Sequence, residues 1–171
     1  MLAEAQYSCV MQGSERQLIL VNSGPPGMAV PYVFRHFQNR VIREGDQFSI
    51  LIEVNGPGGF YTELGRIFSL GKPSQALQDA YGVAREAQEI TLSLLKPGAS
   101  PKDISGANNN FLQKKGYFPE SRLYAHGQGY DLVERPLIRH DEPMKIQAGK
   151  NLTIHPEATH STVWAGVCDY Y

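Results

Sequence analysis

Residues 41–71 read VIREGDQFSILIEVNGPGGFYTELGRIFSLG, and this stretch decides the fold. The apolar run FSILIEV predicts a strand, and FYTELGRIFSL predicts a strand that returns beside it. The glycine-rich segment NGPGG between them is typical of a hairpin turn. We therefore expect an antiparallel hairpin that brings Glu53, inside the first strand, close to Glu63, inside the second.

These two glutamates are unusual because each lies within an apolar strand. A carboxylate in such a place is costly unless it is paired or bound to a metal. Two adjacent carboxylates also repel each other, so we expect them to share a cation, a proton or an arginine such as Arg66. In the alternative interpretation, Glu63 points to solvent or pairs with Arg66.

Downstream of the hairpin the hydrophobic period changes from two to between three and four. Apolar residues at this spacing predict an amphipathic helix from Ser74 to Leu95, which Lys96-Pro97-Gly98 ends. The segment SPKDISGANNNFLQKKG predicts a second helix with Ser100 as its N-cap. We expect its apolar face to consist of Ile104, Ala107, Phe111 and Leu112.

The two ends of the chain predict further strands. QYSCVMQGSERQLILV predicts two strands around a turn, with no helix before them, and short strands are expected at Lys145–Ile146, within NLTIH and within STVWAGVCDYY. Strands, two helices and strands in this order predict an α+β fold with helices on one face of a mainly antiparallel sheet. Because the last residues read as an unfinished strand, we expect residues 1–171 to be a single domain that forms the C-terminal part, or another piece, of a longer protein.

Composition argues against several classes of partner. The formal net charge is -1 and no long run carries one sign, so neither nucleic acid nor a membrane surface is expected. The sequence contains no membrane-spanning apolar stretch, and MLAEAQYSCV lacks the features of a signal peptide. Cys9 and Cys168 are expected to be buried thiols in a cytoplasmic protein. A small molecule or a peptide remains the expected partner.

Two histidines stand in settings that suit chemistry. His126 lies in the glycine-rich segment AHGQG, and His155 ends the apolar run NLTIH before a proline. A histidine in such a setting serves as a metal ligand, a general base or a hydrogen-bond donor to a substrate. The alternatives are a core histidine for His126 and an edge or loop histidine for His155. The remaining histidines are expected at the surface: His36, His140 and His160.

Four segments together resemble a known family. In chain order they are the hairpin stretch, LLKPGASPKDI, AHGQGYDLVERP and IQAGKNLTIHPEA, and they resemble the pita-bread domain of methionine aminopeptidase, aminopeptidase P, prolidase and creatinase. The resemblance covers nearly the whole chain and leaves out the first helix and the last strands of the usual domain. It implies the pita-bread fold, a curved and mainly antiparallel sheet with helices on one face.

The resemblance also implies a site. The peptidases of this family hold two divalent metals with two aspartates, a histidine and two glutamates. Four of these positions correspond here to Glu53, Glu63, His126 and His155, and the fifth falls near Asp169 or beyond the end of the chain. Only His126 has the residue type of the family.

Two supporting histidines of the family are replaced as well. Their positions fall near Phe34 and on Val133, which puts peptide hydrolysis by the usual route in question. Two kinds of site follow. In one, the four residues hold one divalent metal (Mn, Zn, Fe or Co) that activates water. In the other there is no metal, His126 is the acid/base, and Glu53 and Glu63 bind a cationic group of a creatinase-like substrate.

Three functions are compatible with these alternatives. The first is a hydrolase of the Xaa-Pro peptidase or creatinase type that cleaves a C–N bond, with a rearranged or absent metal site and His126, Glu53 and Glu63 as catalytic residues. The second is a catalytically inactive domain that binds peptides or partner proteins, and the third is a lyase or other small-molecule enzyme that reuses the metal position. Several family enzymes build their site at a dimer interface, so a homodimer is also compatible with the resemblance.

Overall fold

The computed structural model of the protein describes residues 1–34 and 39–171. Three helices and nine strands are present in these ranges. The helices are α1 (Leu2–Met11), α2 (Gln75–Leu94) and α3 (Pro101–Lys114). The strands are β1 (Gln17–Gly24), β2 (Gln47–Asn55), β3 (Tyr61–Ser69), β4 (Ala125–Gly127), β5 (Glu134–Leu137), β6 (Leu152–Ile154), β7 (Glu157–His160), β8 (Val163–Gly166) and β9 (Asp169–Tyr170).

The first half of the fold is the antiparallel sheet β1-β2-β3. Strands β2 and β3 pair along their full length, from Gln47 opposite Ser69 to Asn55 opposite Tyr61. The turn between them occupies the predicted NGPGG segment, where Gly58 and Gly59 have φ of 95° and 86°, a conformation that favours glycine. The predicted hairpin is therefore confirmed.

The second half contains a sheet in the order β5-β4-β6-β9 and the separate pair β7-β8, all antiparallel. A bridge between Gly65 in β3 and Cys168 next to β9 joins the halves, with reciprocal backbone hydrogen bonds of 3.1 and 3.0 Å. A Cβ atom at residue 65 would lie 2.8 Å from Tyr32 Oη and 2.9 Å from Cys168 Cβ. A glycine is therefore required at residue 65 for the halves to approach this closely.

Helices α2 and α3 pack on one face of the second half. The small apolar face of α2, including Ala80 and Ala84, packs against Ala165 of β8, and Ile104 of α3 packs among the residues around Ile154 of β6. Because strand side chains alternate, Thr153 and His155, the neighbours of Ile154 in sequence, point to the face away from the helices. The predicted α+β architecture with helices on one face is confirmed.

Several local predictions were wrong. The segment predicted as a first strand lies in helix α1. Its alternation of apolar and polar residues is too short to distinguish a strand from a helix. Lys145–Ile146 is not a strand, and β4, β5 and β7 were not predicted because AHG, ERPL and EATH contain no apolar run. On α3, Ala107 and Phe111 are only half-buried, while Asn108 is fully buried.

Two further sequence predictions concern the helix start and membranes. Ser100 occupies the N-cap position of α3 as predicted, although its side chain makes no capping hydrogen bond. In residues 1–34 and 39–171 no helix combines the length and the apolar composition that crossing a membrane requires.

Candidate active site

The first part of the site is the carboxylate hairpin, which is β2 and β3 with Glu53 and Glu63. These glutamates are Cα partners in the hairpin, so their side chains lie side by side on one face. Each residue is only 5% exposed. Arg66 forms an ion pair with Asp169 instead. The alternative in which Glu63 is solvated or pairs with Arg66 is therefore wrong.

The second part consists of the imidazole strands, which are β4 with His126 and β6 with His155 directly after it. His126 is the Cα partner of Thr153, and His155 N donates to Tyr124 O at 2.7 Å, so the pairing continues beyond β6. The two rings meet edge to face with centroids 5.3 Å apart, and both residues are buried. The two histidines thus lie next to each other.

The carboxylate hairpin and the imidazole strands meet at three side chains. One ligand atom each from Glu63, His126 and His155 can be chosen so that all lie within 4.8 Å of one another. His126 Nδ1 donates to Gly127 O at 2.9 Å, so the lone pair of the neutral ring is on Nε2, which lies 3.9 Å from Glu63 Oε2. His155 Nδ1 is buried and has no hydrogen-bond partner among the described residues.

Glu53 lies beside Glu63 and accepts a hydrogen bond from an amide. Gln128 Nε2 donates to Glu53 Oε1 at 2.7 Å and to Leu132 O at 3.3 Å. Gln128 Oε1 is buried and lacks a partner in the part of the chain that the structure describes. The structure thus brings all four predicted residues to one face of the fold, and three of them form the tighter group.

The electrostatics of the site are dominated by burial of its ionisable groups. Burial, followed by repulsion from Glu63, raises the pKa of Glu53 to about 8. Burial also raises the pKa of Glu63, against the opposing effect of hydrogen bonds from Cys168 and other neighbours. Burial lowers the pKa of His126, and burial with the neighbouring His126 and Arg122 lowers that of His155 well below its usual value. Neutral imidazoles beside buried carboxyl groups favour binding of a cation.

Three side chains of the site were not predicted from the sequence. Gln128 and Thr153 each lie two residues from a predicted histidine, so strand alternation could have placed them on the same face. Cys168 Sγ donates to Glu63 Oε1 at 3.3 Å and lies 3.3 Å from Thr153 Oγ1. No local pattern indicates this role for Cys168, because it reaches the site through its long-range bridge to Gly65.

Other predicted positions lie away from this group. Asp169 binds Arg66 and accepts a hydrogen bond from Gln88 at 3.1 Å, and it is the adjacent Cys168 that contacts Glu63. His140 and His160 are exposed as predicted, and His36 lies outside the described residues. Both cysteines are free thiols, and Cys168 is buried as predicted. Cys9 is only half-buried, so the prediction of a buried thiol was wrong for this residue.

The donor set fits a divalent ion. Two imidazoles and one carboxylate form a common ligand set of catalytic zinc sites, which keep a further position open. Tetrahedral ligands about 2.1 Å from a shared ion lie roughly 3.4 Å apart, so atoms within 4.8 Å of one another need only small side-chain shifts. The buried Nδ1 of His155 has no hydrogen-bond partner among the described residues, so this nitrogen is available to a bound ion.

Comparisons with known proteins give independent findings. The sequence model of metallopeptidase family M24 matches residues 3–168. A probable dipeptidase PepE of Mycobacterium tuberculosis is 27% identical over 157 residues, which cover 90% of this chain and 39% of that relative. The chain therefore spans about two fifths of the length of this curated relative.

Solved structures agree over nearly the whole chain. Dipeptidase PepE from Mycobacterium ulcerans superposes with a TM-score of 0.83 at 24% identity, covering 98% of this chain and 45% of the other. The X-Pro aminopeptidase from Thermotoga maritima gives a TM-score of 0.84 at 21% identity, covering 98% of this chain and 48% of the other. These likenesses confirm the predicted pita-bread fold.

Proposed function

This chain belongs to metallopeptidase family M24, and from that membership we propose that it provides the catalytic fold of a hydrolase for short peptides. The bond cleaved is a C–N bond near a peptide end. The finer proposal is cleavage next to proline, which the likeness to an X-Pro aminopeptidase supports. The observation that carries the proposal is the convergence of Glu63, His126 and His155 ligand atoms within 4.8 Å.

In this proposal Glu63, His126 and His155 hold one divalent ion. Such an ion, when bound, supplies Lewis-acid polarisation of a carbonyl and makes water more acidic. His126 is oriented by its hydrogen bond to Gly127 O, which keeps Nε2 unprotonated in the neutral ring. A family member whose ligand set has partly changed can bind a metal only if its donors lie close together, as these three do.

Glu53 is proposed as the residue that moves the proton. Gln128 donates a hydrogen bond to its carboxyl group, and burial and the neighbouring Glu63 raise its pKa to about 8 in the metal-free site, which favours the protonated form. A buried carboxylic acid of this kind can protonate the leaving amine nitrogen when the C–N bond breaks. In the metal-free form of the proposal, His126 is the acid/base, and Glu53 with Glu63 binds a cationic substrate group.

The test combines metal analysis with a peptide assay. Protein purified without a histidine tag is analysed for metal, then assayed on paired dipeptides that differ only in whether the second residue is proline, with Mn, Fe, Co or Zn added. We expect hydrolysis, and we expect His126→Ala to abolish it. His160→Ala is the matched control because His160 is exposed on β7.

Two results of this assay separate the proposed hydrolase activity from the proposed Xaa-Pro specificity. Folded, metal-loaded protein that cleaves none of the peptides contradicts the proposed hydrolase. Hydrolysis with no preference for proline keeps the hydrolase and removes the Xaa-Pro specificity.

A second candidate function is a binding domain without catalysis. It is favoured by Val133 and Phe34, which stand where the supporting histidines of the family fall by resemblance and are 50% and 66% exposed. In this case the buried carboxylates destabilise the fold without serving catalysis. The double substitution Glu53→Ala and Glu63→Ala should therefore raise stability and leave peptide affinity unchanged. Loss of metal or turnover in that variant would exclude the binding-only function.

A further inference from the structure

We propose that the site binds one ion through Glu63, His126 and His155 and prefers Zn, Co or Fe over Mn. We also propose that Glu53 stays outside the coordination sphere. The resemblance implies two ions in a carboxylate-rich set, so this chain would differ from its family in both the number and the kind of metal. The inference rests on the metal-holding role proposed above for these three residues.

The number of ions follows from the donors that remain. A site for two ions needs ligands that bridge them, and a neutral imidazole offers a single lone pair. His126 Nδ1 is already bound to Gly127 O, so its ring can serve one ion through Nε2. Of the three residues in the group, Glu63 alone could bridge, and its Oε1 accepts a hydrogen bond from Cys168 Sγ. These donors are enough for one ion and too few for two.

Glu53 does not belong to the group whose ligand atoms lie within 4.8 Å of one another, and Gln128 occupies one of its two oxygens. The amide Nε2 of Gln128 donates to Glu53 Oε1 at 2.7 Å and is anchored on its other side by Leu132 O. An amide NH₂ group carries partial positive charge and cannot be a metal ligand through nitrogen. A cation placed against Glu53 Oε1 would have to displace this donor, whereas Glu63 Oε2 already lies 3.9 Å from the free nitrogen of His126.

The kind of ion follows from ligand chemistry. Carboxylate and water ligands suit Mn and Mg, while imidazole ligands suit Zn, Fe, Ni and Cu. At His155 an imidazole stands where the resemblance places a carboxylate, and its buried Nδ1 has no hydrogen-bond partner among the described residues. A set of two histidines and one glutamate should therefore prefer Zn, Co or Fe over Mn.

The proposal is tested by metal binding, independently of activity. Chelator-treated protein is dialysed against Zn, Co or Mn, and bound metal is counted by elemental analysis, with the Co absorption spectrum as a second readout. We expect about one equivalent of Zn or Co and a much weaker association of Mn. Glu53→Gln should leave the stoichiometry at about one and the Zn affinity within a few-fold, since the amide oxygen that it introduces can still accept from Gln128.

The substitution His155→Glu restores the residue type of the family and gives the sharpest comparison. We expect the ratio of Zn to Mn affinity to fall by about tenfold or more. Exposed His160→Ala is again the matched control. If His155→Glu does not fold, the wild-type and Glu53→Gln titrations still decide the proposal.

Two equivalents of metal, Mn bound as tightly as Zn, or loss of Zn in Glu53→Gln would each overturn the inference. The hydrolase proposal fails separately. One Zn without peptide hydrolysis supports this inference and contradicts the hydrolase, whereas hydrolysis with two Mn ions does the opposite.

Discussion

The carboxylate hairpin and the imidazole strands meet at one site but are built differently. Strands β2 and β3 contain nine residues each and pair in unbroken register through a local turn. Strands β4 and β6 contain three residues each, and the pairing of β4 with β5 shifts register between His126 and Gly127. The carboxylates are thus positioned by local structure and the imidazoles by long-range contacts.

This difference explains what could be predicted from the sequence. The pairing of Glu53 with Glu63 followed from a turn signal and two apolar runs, because a hairpin register depends on neighbouring residues. Strand β4 has no such signal, and His126 was found through its glycine frame and through the resemblance. Cys168 was missed because only the bridge to Gly65, about one hundred residues away in sequence, brings it to Glu63.

The strongest test of this comparison is to disrupt the bridge between Gly65 and Cys168, which joins the two halves of the fold. Gly65→Val places methyl groups where even a Cβ atom would lie 2.8 Å from Tyr32 Oη and 2.9 Å from Cys168 Cβ. We expect a loss of about 3 kcal/mol in the free energy of unfolding, near the upper end for overpacking. Urea denaturation measures this loss.

The matched control for the junction is Gly82→Ala. Gly82 lies on the exposed side of α2, and a Cβ atom there would have nothing within 4 Å. We expect this variant to be more stable by about 0.5–1 kcal/mol, because alanine is the better helix former. If Gly65→Val were equally stable, the close approach of the two halves would not be required.

A second prediction concerns the buried carboxyl group of Glu53 in the carboxylate hairpin. The folded pKa of Glu53, about 8, is above its ordinary value of 4.5, so the folded protein holds a proton that the unfolded chain releases. The penalty is absent below pH 4.5 and grows as pH rises to 8. In chelator-treated protein, Glu53→Gln should therefore be more stable than wild type above pH 8 by about 2 kcal/mol, less than the roughly 5 kcal/mol of the full pKa shift because the folded protein relaxes around a buried charge.

Thermal unfolding of the two proteins between pH 4 and pH 9 measures this difference. Because Glu63 and Glu53 repel each other, the difference between the two proteins reports the titration of both glutamates together. An equal gap at pH 4 and pH 9 would show that Glu53 does not carry the predicted proton. Saturating Zn should stabilise both proteins by similar amounts, because Glu53 is proposed to lie outside the coordination sphere.

The smallest expected effect comes from a buried carboxylate in the half that carries the imidazole strands. Glu142, between β5 and β6, is bound by the Arg135 guanidinium and accepts from Leu137 N at 3.1 Å and Met144 N at 2.7 Å. These partners, Arg135 foremost, lower its pKa to about 2. Its contribution to stability is therefore complete above pH 4.5 and disappears as pH falls through 2, the reverse of Glu53.

We expect Glu142→Gln to lower stability at pH 7 by on the order of 1 kcal/mol, because Arg135 is half exposed and solvent screens the pair. The difference from wild type should shrink when pH is lowered to about 2, and urea denaturation at the two pH values measures it. Opposite pH slopes for Glu53→Gln and Glu142→Gln would show that burial alone does not set the behaviour of a carboxylate in this fold. Partners decide it, and at Glu63 the proposed partner is the bound cation.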